Sequence, residues 1–236
     1  MIKILHSDKF IVAAVKPCGV LSEPSPTEDE SVLSLVSVQE KLPPLFPIHR
    51  LDRNVSGIIL MAKNKNAAGK FSGLVSDRSV EKEYLAIVHG RPSEEYGIYK
   101  DLLFKDSQSN KSFVTDTMRK GVKEASLEYR VLASSESEDG VLSLVRVKLH
   151  TGRTHQIRVQ FSSRKTPLFG DGKYGSHTNR GEIALFSARM SFVHPFTKKY
   201  TDIRTLPDIT GYPWSLFEDR LISELFNDRI LTDEVE

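Results

Sequence analysis

Cysteine is nearly missing from this chain of 236 residues: Cys18 stands alone in a Pro-Cys-Gly turn. A single thiol excludes an intrachain disulfide and a cysteine-rich metal site, and in that turn it reads as a small structural residue rather than a reactive one. Long apolar runs are missing too, since none approaches the roughly 18 residues that a membrane-spanning helix needs. The first residues, Met1 to Asp8, lack the pattern of a secretory signal. A cytoplasmic protein is therefore the expectation. Neither sign of charge is in large excess: Lys and Arg number 33 against 31 Asp and Glu, a formal net charge of +2. A nucleic-acid partner cannot be argued from that balance and must rest on a local patch. There is no internal repeat.

What is present is the alternation of a globular α+β chain. Ile2–His6 and Phe10–Val15 read as two strands joined by Ser7-Asp8-Lys9, and Lys16-Pro17-Cys18-Gly19 ends the second. Ser31 opens a helix predicted through Lys41, stopped by Pro43, Pro44 and Pro47. Gly57–Ala62 is a continuous apolar run, short enough for a buried strand, and Asn66–Val75 has helical spacing. Tyr84–Val88 reads as a strand. Leu127, Tyr129 and Val131 alternate with polar residues, as do Val145, Val147 and Leu149, which gives two half-exposed strands. Thr154–Phe161 reads as a helix with Thr154 as its N-cap. Ile183–Met190 and Lys199–Arg204 read as strands. Pro213–Ile230 reads as an amphipathic helix with Trp214, Phe217, Leu221, Leu225 and Ile230 on its apolar stripe. Strands that follow one another with short turns favour a largely antiparallel mixed sheet with flanking helices over a doubly wound parallel one. With no long linker, one domain over residues 1–236 is the simplest division.

Two places concentrate chemistry. Val141–Gly170 has no Asp or Glu but carries Arg146, Lys148, His150, Arg153, His155, Arg158, Arg164 and Lys165. It is either a cradle for a phosphate backbone or a face whose charges are balanced from elsewhere in the fold. The run Pro47–Gly57 places Asp52 between Arg50 and Arg53, just ahead of the buried strand. Nearby guanidinium groups favour an ionised carboxylate that can act as a nucleophile, and the competing reading is a structural ion pair. Other chemistries have little foothold. His49 stands three residues before Asp52, but no His or Cys cluster has ligand spacing. Gly152-Arg153-Thr154-His155 is no phosphate loop, Gly170-Asp171-Gly172 no dinucleotide fingerprint, and Ser56 lies outside any Gly-x-Ser-x-Gly elbow. A glycosidase needs two facing carboxylates, and Asp171 in its Gly-rich loop reads as structural.

The run His49-Arg50-Leu51-Asp52-Arg53 through Ser56–Lys63 closely resembles the signature around the catalytic aspartate of RluA-type pseudouridine synthases. Lys16-Pro17-Cys18-Gly19, Lys82–Gly90, Thr151–Val159, Pro167–Asp171 and Tyr174-Gly175 resemble further motifs of that family, in the same order. Two positions depart from it, Val55 where Thr is usual and Cys18 where a smaller residue is common. The resemblance implies an enzyme that detaches a uracil base in RNA, rotates it and rejoins it through carbon, without cofactor or metal. It implies Asp52 as the essential carboxylate, acting either by attack on the sugar or by promoting a glycal. Tyr84 would lie against the base and serve in proton removal, and Arg158 would pair with Asp52. Arg50 would fill the space left by the flipped nucleotide. Arg53, Arg153, His155, Arg164 and Lys165 would engage RNA, with Leu85 and Ile157 lining the base pocket. The expected partner is rRNA or tRNA, and the expected state a monomer. Because the motifs begin almost at Met1, the small RNA-binding domain of many relatives is expected to be absent. The alternative is a catalytically silent RNA-binding relative, which would be expected to lack Asp52, Tyr84 or Arg158.

Overall fold

The computed structural model describes residues 1–28, 30–178 and 182–226. Two strands, β1 (Ile4–Ser7) and β2 (Ile11–Lys16), are followed by helix α1 (Val32–Gln39) and by β3 (Phe46–Pro47) and β4 (Ser56–Ala62). Then come α2 (Lys65–Ser76), β5 (Glu81–His89), β6 (Tyr96–Asp106), β7 (Lys111–Thr115), β8 (Val122–Ser137) and β9 (Gly140–Leu149). Helix α3 (Gln156–Ser162) precedes β10 (Leu185–Val193), β11 (Tyr200–Arg204) and α4 (Glu218–Phe226). One sheet runs β1-β2-β4-β10-β5-β9-β8-β6-β7, with β11 beside β10 and β3 beside β4. Of the strand pairs, β4–β10 is parallel and the others antiparallel. This is the mixed, largely antiparallel sheet that the sequence implied.

The central strands are buried on both faces, and their side chains sort strictly by the two-residue period. Val12, Ala14, Ile59, Met61, Tyr84 and Ala86 join Val32 and Val36 of α1 and Ile157 and Phe161 of α3 in one core. Ile11, Ala13, Ile58 and Leu60 face the other way, onto Ala67 and Phe71 of α2. Leu85 and Ile87 also point away from Tyr84, onto Phe217 and Leu221 near the C-terminal end. Leu85 therefore does not line a pocket with Tyr84, contrary to the sequence expectation, because adjacent strand residues occupy opposite faces.

Local signals explain the helix starts. Ser31 and Ser34 form a reciprocal capping box at α1, and Asn64 caps α2 through the Ala67 N–H. Thr154 is not the cap of α3. That position falls to His155, which has a left-handed backbone (φ 53°) and makes no side-chain capping bond. Instead the Gln156 side-chain oxygen accepts the Arg153 N–H at 3.0 Å. The C-terminal helix opens with a 3-10 turn at Trp214–Phe217. Ile230 and the side chain of Leu225 lie outside the described residues.

The parallel seam depends on Gly57. Its φ is +115°, and a Cβ there would overlap the backbone of Ser187 on β10. Gly57→Ala is expected to destabilise the fold by about 2–4 kcal/mol, since both the dihedral and the close approach are lost. Urea denaturation checks this, and an unchanged midpoint would show that the seam tolerates a side chain.

Candidate active site

Asp52 sits in the loop between β3 and β4, and that loop is pinned from several sides. Ser22 bonds the Leu51 backbone both ways, its hydroxyl donating to the carbonyl at 2.8 Å and accepting the N–H at 2.9 Å. The His49 Nε2 accepts the Leu60 N–H of β4 at 3.0 Å. Lys16 is fully buried at the end of β2, and its ammonium donates to the carbonyls of Pro17, Val20 and Arg53 at 2.8, 2.8 and 3.0 Å. Three carbonyl acceptors compensate a cation that burial otherwise disfavours, and burial pushes its pKa down to about 8. Gly19, at φ +80°, donates its N–H to the Arg53 carbonyl at 3.0 Å.

Opposite this loop, α3 projects Arg158. One guanidinium nitrogen reaches Asp52 Oδ2 at 3.0 Å, while Nε and the other terminal nitrogen hold both oxygens of Asp171 at 2.7 and 2.9 Å. The Arg158 and Asp171 side chains are 6% and 1% exposed, whereas Asp52 keeps 28%. Two carboxylates and their hydrogen bonds raise the arginine pKa against the desolvation of its burial. Asp171 is held by the Gly170 turn (φ +78°), where a Cβ would strike the Glu182 carbonyl. The arginine also stacks over the Tyr174 ring, 5.0 Å from its centroid.

Tyr84, on β5, lies in the core that also contains Leu51 and Ile157. Burial and the Asp52 charge push the phenol pKa upward, so the hydroxyl keeps its proton in the resting site. His155 is buried too, with Nε2 facing Asp52 Oδ2 at 3.6 Å and Nδ1 2.9 Å from the Tyr174 hydroxyl. The sequence had grouped His155 with the RNA contacts; the fold turns it inward, toward the carboxylate. Asp171, Tyr174 and Lys16 were not among the predicted site residues. All three fall in the motif-like stretches Lys16–Gly19, Pro167–Asp171 and Tyr174-Gly175, but a motif position does not reveal what a side chain bonds.

The basic segment is mostly paired within the protein. Arg146 meets Glu83, Lys148 meets Glu81, His150 lies 3.4 Å from Glu128, and Arg164 grips both oxygens of Asp101 while stacking 3.9 Å over Tyr99. Arg164 thus anchors the turn after α3 to β6, and its expected role toward RNA has no free guanidinium to rest on. Arg153 gives its Nε to the Glu124 carbonyl at 2.9 Å. Among the described residues, Arg153 and exposed Lys165 have no carboxylate partner. Exposed Arg50 pairs with Glu23 at 2.9 Å, and Arg53 forks onto Glu28 at 3.0 and 3.2 Å.

A partly exposed aspartate, ion-paired to a buried arginine on a mixed sheet whose core holds Tyr84, defines a carboxylate-centred site. The family model described as RNA pseudouridylate synthase matches residues 10–163. A protein of Aquifex aeolicus named an uncharacterized RNA pseudouridine synthase is 35% identical over 82% of this chain and 66% of its own length. A tRNA pseudouridine synthase C of Haemophilus influenzae is 30% identical, covering 86% of this chain and 92% of that one. The chain spans 63% of a Mycoplasma pneumoniae relative, an uncharacterized RNA pseudouridine synthase 32% identical to it. The fold is shared with the human RNA pseudouridylate synthase domain containing 1 protein, at TM-score 0.76 and 22% identity over 96% of this chain and 95% of that one. This chain belongs to the RNA pseudouridylate synthase family.

Burial and the neighbouring Lys82 push the His49 pKa down to about 3. The unfolded chain, with an ordinary histidine near 6.5, therefore binds a proton that the folded chain refuses between pH 6.5 and about 3. Stability is expected to fall as pH drops through that window. A His49→Gln variant should show a shallower fall in denaturation midpoint, and equal slopes would remove His49 as the cause.

Proposed function

We infer that this protein isomerises uridine to pseudouridine in structured RNA, and the observation that carries the reading is Arg158 bridging Asp52 and Asp171 beside Tyr84. The reaction is an internal exchange. The bond from ribose C1′ to N1 of the base breaks, the base turns, C1′ joins C5, and the proton leaving C5 is balanced by one gained at N1. Nothing is oxidised and no group leaves, so the protein's task is to hold a carboxylate at the ribose and a flat pocket at the base. Asp52 supplies the carboxylate and Arg158 fixes its orientation. Tyr84 and Ile157 lie against the base, and the Tyr84 hydroxyl takes part in the proton exchange. A base inside a helix is out of reach of these groups, so the target nucleotide is extruded. Exposed Arg50 fills the gap it leaves, while Arg53, Arg153 and Lys165 contact phosphate. The substrate is rRNA or tRNA, and the protein acts as a monomer without cofactor or metal. Asp52, Tyr84 and Arg158 are all present and brought together, which favours the enzyme over a silent binding relative.

Asp52→Asn is expected to abolish isomerisation while RNA affinity stays within about tenfold. Pseudouridine mapping of total RNA, in cells lacking the gene and complemented with either form, reads both reaction and target. Restoration of the modified site by the variant would sink the assignment of the carboxylate. RNA affinity is also expected to fall steeply with salt, with Arg153→Ala lowering the slope of log K against log salt by about one. A slope the same in both proteins would take Arg153 out of the RNA contact.

A further inference from the structure

The reading of Asp52 as the essential carboxylate leaves a second polar chain at its back unexplained. His155 stands directly before α3 in the left-handed region, at φ 53°, although it carries a side chain. A buried non-glycine residue in that region is strained, and such strain persists where the surroundings fix the side chain in one place. Here the fixing partner is Tyr174. Its hydroxyl oxygen accepts the Ser112 N–H of β7 at 2.7 Å, a bond in which the backbone can only donate. The phenol has one proton left to give, and the His155 Nδ1 lies 2.9 Å away. If Nδ1 carried the proton instead, the phenol proton would have to turn to the Ser112 hydroxyl, which gives its own proton to the Thr154 carbonyl at 2.7 Å. The imidazole would then also turn the Nε2 lone pair toward the Asp52 carboxylate at 3.6 Å. The first arrangement aims an N–H at the carboxylate; the second sets two acceptors face to face.

We propose that His155 is a positioning residue for Asp52, held as its Nε2–H tautomer by the Ser112–Tyr174 chain so that its N–H points at Oδ2. This role rests on the enzymatic reading above. At 3.6 Å the contact is longer than a hydrogen bond, and a shift of a few tenths of an ångström, of the kind substrate binding causes, closes it. Arg158 approaches the same oxygen at 3.0 Å. Both donors therefore fall on Oδ2, and among the described residues Oδ1 has no hydrogen-bond partner. The carboxylate is thereby fixed in rotation with one oxygen committed to the protein and the other presented to the ribose. The charged groups facing His155 are Asp52, Arg158, Lys173 and Asp171. Burial, with Arg158 and Lys173, outweighs the two acids and keeps the imidazole neutral at neutral pH. Protonation would place an N–H on Nδ1 against the phenol and reverse the chain.

Two variants and one spectrum test this role. Single-turnover isomerisation by His155→Ala is expected to slow by on the order of 10–100-fold, with the RNA Kd within about threefold. His155→Gln, whose amide nitrogen reaches the place of Nε2, should recover to within about fivefold of the wild type. Nitrogen-15 NMR of the imidazole in the intact free protein should show the Nε2–H tautomer above its pKa, and Tyr174→Phe should release it to a mixture. A folded Gln variant as slow as the Ala variant would overturn the proposal. So would an Nδ1–H tautomer, or a loss confined to RNA affinity, which would make His155 an RNA contact. Wild-type protein that isomerises no uridine would instead remove the enzymatic reading, and the tautomer measurement is independent of that result.

Discussion

A single guanidinium holds the site together. Arg158 is one side chain with two acids, Asp171 behind it and Asp52 in front, and it is the point at which three separate parts of the chain meet. Desolvating a guanidinium is costly, and two carboxylates with three short hydrogen bonds are what make its burial tolerable. The arrangement is directional. The forked contact goes to Asp171, which is essentially inaccessible, so the arginine is anchored independently of its contact with Asp52. Helix α3 is only seven residues long and would be marginal alone. All of Gln156 to Phe161 is buried, so tertiary packing keeps the helix, and with it the arginine, in place.

Charge is deployed inward far more than the sequence suggested. Glu83 alone is shared by Arg146 and Arg189, and Arg189 continues to Asp202 and Arg204. This network occupies the start of β5, one residue from Tyr84, and sets the strands that carry it. With those cations consumed, attraction for RNA falls to a few exposed residues. Arg50 and Arg53 are themselves paired with Glu23 and Glu28 on the surface. Exposed pairs of that kind contribute about 0–1 kcal/mol. A competing anion can therefore displace the glutamates at small cost.

The sequence disclosed those elements whose burial follows a simple period. β2 and β4 are apolar runs, and α1 and α2 begin at side-chain caps, so their positions were legible within a residue or two. β6 and β7 were not, because Lys100, Asp101, Lys105, Asp106 and Lys111 interrupt their alternation. These strands lie at the end of the sheet, where one face meets solvent and tolerates charge. The assignment of Leu85 beside Tyr84 failed on the same period that makes strands readable. His155 failed for a different reason: a His in a basic run looks like a phosphate contact until the left-handed turn before α3 swings it inward. Asp52, Tyr84 and Arg158 were singled out through motif likeness, whereas Asp171 and Tyr174 lay in similar motifs but their bonds to Arg158 and His155 emerged only once the loop after α3 was folded back onto it.

The gradient of burial across the site follows from what each group must do. Asp171 and Arg158 are almost inaccessible, so they sit where the dielectric is low and their interaction is strong and rigid. Asp52 keeps 28% of its side-chain surface, and in the proposed reaction it meets a ribose that arrives with its water. A carboxylate left that open would rotate freely if nothing held it, and a freely rotating carboxylate presents its reactive oxygen correctly only part of the time. The buried Arg158, bonded to Oδ2 at 3.0 Å, resolves the conflict, restraining the group from the protein side while Oδ1 has no hydrogen-bond partner among the described residues. The same division explains why Lys16, His49 and Ser22 bond to the backbone around Asp52 rather than to the carboxylate: they fix the position of the loop without consuming the acceptor that the reaction needs.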